Sequence, residues 1–190
     1  MLLVIGPLYQ FFFRFRFPVP IAIARRREWI SVIGTNLALA AMLWIAAETI
    51  GLRRFTLVHL PITWLGGSIG LWLFYVQHQF ERTYWAHDDE WSFEAASVAG
   101  SSYLDLPPIL RWFTANIGLH HVHHLAPRIP NYRLTDTLDV HPVLARATRL
   151  TLTDGLKSLR LKLWDEDSQQ LVGLHGVARY RQNASARTST

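Results

Sequence analysis

Two apolar runs of membrane-crossing length, separated by only a few residues, restrict this chain more than any other feature. Val32 to Ile50 is almost uninterrupted, with Asn36 and Glu48 as exceptions, and Phe55 to Val76 follows after Leu52, Arg53 and Arg54. A helix needs about 20 apolar residues to cross a hydrocarbon core of about 30 Å. Lipid offers the backbone no hydrogen bonds, so such runs cross as helices. The expectation is an antiparallel transmembrane hairpin, and the competing reading is a pair of core helices in a soluble fold. Arg14, Arg16, Arg25, Arg26 and Arg27 precede the first run, against Arg53 and Arg54 in the connector. The positive-inside rule then puts the amino-terminal side in the cytoplasm, and everything from His78 onward returns to that side.

Composition supports a membrane address over other basic-protein roles. The net charge is +5, but the arginines flank apolar runs, which suits anionic headgroups and argues against a nucleic-acid partner. The absence of cysteine excludes disulfides, thiolate-ligated haem and iron–sulfur clusters supplied by this chain. Met1 to Phe13 is apolar but contains Pro7 and lacks a basic start and a small-residue cleavage site, so it does not read as a signal peptide. About twelve helical residues rise only about 18 Å, too short to span. With Phe11, Phe12, Phe13, Phe15 and Phe17 interleaved by Arg14 and Arg16, this stretch suits the membrane–water boundary.

Further along, Phe93 to Gly100 and Pro108 to Leu125 have helical spacing. Pro142 to Leu163 is another helical candidate, broken near Gly155, and Leu171 to Leu174 suits a short strand. The expected fold class is all-α integral membrane, a transmembrane hairpin plus a cytoplasmic helical region that carries a histidine cluster. In residues, 1–30 form an interfacial segment, 31–77 the hairpin, 78–175 the cytoplasmic region and 176–190 a polar, disordered tail.

That cluster is the candidate chemistry. His120, His121, His123 and His124 occupy four of five positions. On a helix, with about 100° per residue, His120, His123 and His124 fall within an arc of roughly 100°. Asn116, one turn earlier, points the same way, and His121 lies at the edge of the arc. Converging imidazoles suit iron, zinc or copper; the bland alternative is a histidine-rich surface helix. Pro127 and Pro130 should end the helix soon afterwards. His78 stands where the second run ends, able to meet the cluster if the chain folds back, and Glu81 one turn on is expected to orient a ligating imidazole by a hydrogen bond. His59 lies nearly 30 Å along the helix from His78, too far to join, and reads as a hydrogen-bonded intramembrane histidine. His87 suits a solvated loop, and His141 and His175 look structural or incidental. No His-Glu-x-x-His motif of a zinc hydrolase is present.

Taken together, Val76-Gln77-His78-Gln79-Phe80-Glu81 with Thr83-Tyr84-Trp85, then Asn116-Ile117-Gly118-Leu119-His120 through His124, then Pro127-Arg128-Ile129-Pro130-Asn131-Tyr132, resemble the membrane fatty acid desaturases, closest to a bacterial Δ12/omega-6-like branch. The likeness runs from about residue 5 to about residue 174. His120, His123 and His124 match that family's third histidine box, and His78 looks like its additional ligand between the second and third boxes. The resemblance implies a non-haem di-iron centre on the cytoplasmic face of the inner membrane. It implies dioxygen, a ferredoxin- or cytochrome-type electron donor, and a fatty acyl substrate that gains a double bond. An unactivated methylene offers no handle for acid–base catalysis, so a metal must supply the oxidising power.

The departure from the family pattern matters equally. Two earlier boxes, His-x-x-x-His and His-x-x-His-His, are absent. Metal ligands His78, His120, His123 and His124 suffice for one iron and not for two, with Glu81, Asn116 and His121 placed around them. The chain therefore resembles the carboxyl-terminal portion of an incomplete desaturase-like fold, a fragment or split half with a missing amino-terminal partner, expected to be inactive alone. A related histidine-box hydroxylase, or a non-catalytic metal-binding membrane remnant, are the alternatives.

Overall fold

The structure is a computed structural model that describes residues 2–18 and 20–174. His175 and the polar tail lie outside the described residues. Among these the chain is mostly helical and divides inside its longest helix into two compact units, Met1–Trp72 and Leu73–Thr190.

The first unit is built from α1 (Leu2–Phe12), α2 (Arg26–Thr49) and most of α3 (Leu52–His78). The α2–α3 connection is only Ile50 and Gly51, and Gly51 holds φ +83°, a left-handed conformation open to glycine without steric cost. Arg53 and Arg54, expected in the connector, instead form the first turn of α3. Both α2 and α3 are long and apolar enough to cross a membrane, and neither has a buried face over its most apolar stretch. Leu37, Trp44, Leu57, Val58 and Ile62 all point outward. The short α1 docks on α3: the Trp64 indole donates to the Val4 carbonyl at 2.8 Å and the Ser68 hydroxyl to the Leu3 carbonyl at 2.7 Å. Gly67 makes this close approach possible, since a side chain there would collide with Pro7 and Phe11.

The second unit contains the end of α3, α4 (Phe93–Ala99), α5 (Pro108–Phe113), α6 (His120–Leu125), α7 (Leu134–Val140) and α8 (Leu152–Ser158). Four short strands accompany them, so the all-α expectation is too simple. Strands β1 (Tyr103–Leu104) and β2 (Arg149–Leu150) pair in parallel; β3 (Leu161–Asp165) and β4 (Gln170–Gly173) form an antiparallel hairpin. The core gathers Leu119, Val122, Leu134 and Leu144, with Val98, Tyr103 and Ile129 packed against them.

Two helical readings fail locally. Pro108–Leu125 is not one helix, because Ala115 and Asn116 take φ of 52° and 55° and separate α5 from α6. The Leu104 N–H donates to the Gly118 carbonyl at 2.9 Å, and a Cβ on Gly118 would strike the Leu104 carbonyl oxygen. Backbone pairing with β1 thus outcompetes helix continuation. Pro142–Leu163 is a short 3-10 turn (Pro142–Arg146), β2, α8 and β3. A capping box on Thr151 and Asp154 starts α8, and Gly155 sits inside that helix.

Candidate metal centre

The site is assembled from the last turn of α3 and the short helix α6. Val76 and Gln77 are buried at the end of α3. The Gln77 side-chain amide donates to the Ile117 carbonyl at 2.7 Å, while its own backbone carbonyl accepts from the Ser102 N–H at 2.9 Å. The buried Ser102 hydroxyl donates to the Val76 carbonyl at 3.4 Å. These bonds tie the end of α3 to the turn that precedes α6, and so set His78 opposite His120. Nothing in sequence spacing pointed to Gln77 or Ser102 in this role; a glutamine at the exit of an apolar run was the available signal.

Three imidazoles converge. His120 Nε2 lies 3.0 Å from His78 Nε2 and 3.1 Å from His124 Nε2. The ligand atoms of His78, His120 and His124 all lie within 4.8 Å of one another. A neutral imidazole nitrogen either donates or accepts, so these contacts cannot both be well-aligned hydrogen bonds through His120 Nε2. A cation resolves this conflict, because it takes a lone pair from each. With metal–nitrogen bonds of about 2.1 Å, two cis ligands at 90° stand about 3.0 Å apart, in line with both observed separations. The two short separations are therefore those of ligands that could share one metal ion, and the third donor pair is held within 4.8 Å.

Electrostatics favours the ligating form. Burial, then the neighbouring His78 and His124 rings, pushes His120 down to about 3. Burial also lowers His124, reinforced by His123. Both rings are then neutral near pH 7, and no proton need leave before a metal binds. The Gly100 backbone supports the His78 ring, whereas His120 Nδ1 is buried with no hydrogen-bond partner.

The remaining candidates fall elsewhere. His123 is half-buried, its ring stacked 5.6 Å from that of His120, and lies outside the group of three. Asn116 is not one helical turn before the cluster but in the left-handed turn, where its amide donates to the Asn131 carbonyl at 3.1 Å. Glu81 is not on a continued helix, since α3 ends at His78. Its backbone carbonyl accepts from Leu171 N–H at 2.8 Å, and its exposed side chain makes no hydrogen bond to an imidazole among the described residues. His121 turns into the core, fully buried beside Tyr103, with both ring nitrogens lacking a well-aligned partner although the Ser102 and Leu144 backbones lie against it. Burial pushes it down to about 4. His59 stacks on Phe55 and makes no hydrogen bond among the described residues, and His87 packs on Trp85.

One imidazole at the end of a long apolar helix, met by two more from a short helix, makes a three-histidine cluster whose donor atoms could hold a metal ion. Residues 1–153 match the fatty acid desaturase family, and the chain belongs to that family. It is 43% identical over 177 residues to a fatty acid desaturase of Bacillus subtilis (strain 168), covering 93% of this chain and 50% of that protein. The chain thus spans about half the length of the curated relative it matches.

Proposed function

We propose that this chain is the carboxyl-terminal part of an integral membrane fatty acyl desaturase and supplies one share of a non-haem iron site on the cytoplasmic face. The observation that carries this is the convergence of His78, His120 and His124 Nε2, in a chain of the desaturase family. His78, His120 and His124 would hold one iron, and His123, beside them, would face ligands outside this chain. When bound, iron supplies the O2-dependent oxidising power that removes two hydrogens from an acyl chain, with electrons from a ferredoxin- or cytochrome-type donor. The chain's own residues hold the ligands in place. Gln77 and Ser102 fix the end of α3, and the Leu119–Val122–Leu144 core fixes α6. Neutral imidazoles add no anionic charge, and His120 is buried while His124 stays exposed.

Four histidines cannot complete a two-iron site, so the chain alone should bind iron but form no double bond. The test pairs metal content of the purified chain with fatty acid analysis of membranes expressing it, with and without the missing half. Expected are bound iron, no product alone, and double-bond formation when the upstream half is supplied. Hydroxylated product on reconstitution would move the reading to a hydroxylase, and a purified chain that retains no iron would overturn it.

A further inference from the structure

Two cavities follow one another along α2, both formed wholly by the first unit. The outer, of about 740 Å³, lies against residues 27–35 of α2 and includes Arg14, Arg16 and Arg27, three cations against the single carboxylate of Glu28. The inner, of about 430 Å³, lies against residues 36–43, with walls such as Leu39, Leu43, Phe12 and Leu60. Both volumes fall in the range of small-ligand sites. Arg16 and the neighbouring Asn36 stand at their junction, and Arg16 lines both. The pair is locked reciprocally: Arg16 Nη1 donates to Asn36 Oδ1 at 3.0 Å, and Asn36 Nδ2 donates to the Arg16 carbonyl at 3.0 Å.

This guanidinium is incompletely satisfied. Its Nε–H is buried without a partner, and among the described residues none of Arg14, Arg16 and Arg27 forms an ion pair. The first turn of α2 has no side-chain cap, which leaves backbone donors on the same side. Cations at a cavity mouth that lack an ion pair attract an anionic headgroup, and an adjoining apolar cavity calls for hydrocarbon.

We propose that the two cavities form one binding site for an anionic phospholipid. Its phosphate sits among Arg14, Arg16 and Arg27, and one acyl chain lies in the inner cavity against Leu39 and Leu43. The dimensions agree: residues 27 to 43 rise about 24 Å along a helix, close to one leaflet with its headgroup, half of about 40–45 Å. This site is independent of the imidazole cluster and of the desaturase reading, so its test needs no metal and no activity.

Native mass spectrometry of the full chain in detergent, titrated with phosphatidylglycerol and phosphatidylcholine of matched tails, decides the matter. One phosphatidylglycerol should bind preferentially, and Arg14→Gln with Arg27→Gln should weaken it by about fivefold per arginine removed. Arg16→Gln should act likewise, and Ala40→Trp, which fills the inner cavity, should weaken both lipids. Arg53→Gln with Arg54→Gln should change nothing. Circular dichroism confirms helix content, and the Arg14/Arg27 pair, being exposed, serves if Arg16→Gln fails to fold. Equal affinity for the two lipids, no loss in the Arg14/Arg27 variant, or equal competition by tail-free glycerophosphate would each overturn the proposal.

Discussion

The two units solve opposite problems with the same kind of element. In the first, α2 buries only Ala46, and the buried residues of α3, Leu73, Val76 and Gln77, all lie in the part that belongs to the second unit. The second unit instead buries polar groups, Ser101, Ser102, His120 and His121, around a small aliphatic core. Helices that are apolar all round hold no internal reason to fold together in water and call for an apolar surrounding. A unit that buries imidazoles and hydroxyls must satisfy them by hydrogen bonds or a metal. Scaffold and chemistry are therefore separated along the chain, and α3 carries residues of both.

The sharpest way to break that contrast is to place one charge on each side of it. Leu65 and Leu156 are equally exposed, at 57% and 56%. Leu65→Arg, mid-way along α3, should cost about 2.5–3.5 kcal/mol of membrane insertion; Leu156→Arg on α8 should stay within about 0.5 kcal/mol. Glycosylation-tag insertion assays for the first and urea melts for the second give both numbers. Equal effects would mean that both leucines face the same solvent.

Within the second unit, His78→Ala, His120→Ala and His124→Ala should each lower metal affinity by about 100-fold or more, beyond the 10–100-fold typical of supporting groups. His123→Ala should cost less in this chain, because its ring lies outside the converging set. Competition with a calibrated chelator measures this. Gln77→Leu comes next: it strands the Ile117 carbonyl, at about 1–3 kcal/mol, and should loosen metal binding without touching a ligand.

Besides His120, which burial and the neighbouring rings push down to about 3, the pH response follows from His121. Its folded value, about 4, lies below the ordinary 6.5, so between these values the unfolded chain binds more protons. Its contribution is fully present above pH 6.5 and is lost as pH falls toward 4. Denaturant midpoints of the metal-free chain should drop over that window, and His121→Phe should flatten the decline. The smallest effect belongs to Asp105, whose carboxyl is held below the usual range first by Arg149 and also by Arg111, against an opposing burial effect. Partly exposed pairs of this kind are worth about 1 kcal/mol or less, so Asp105→Asn should shift the urea midpoint only slightly.

How much of this was legible varies with the range of the interaction involved. The long apolar runs follow from local composition, as does the placing of His120 and His124 on one face four residues apart. The end of α6 at Ala126, just before Pro127, is equally local. Asn116 was misplaced because a contact with β1, distant in sequence, breaks the helix at residues 114–119. The segment after Pro142 was misread because Leu161, Leu163 and Asp165 find strand partners in β4 that periodicity alone does not announce. Glu81 followed a helix that stops three residues earlier. In each case backbone pairing with a remote segment overrode a local helical pattern.

X-ray absorption at the iron edge of the metal-loaded chain tests the central claim most directly. The account predicts iron with three imidazole nitrogens at about 2.1 Å, and two in His124→Gln. An iron surrounded by oxygen ligands alone, or imidazole scattering that His124→Gln leaves unchanged, would contradict it.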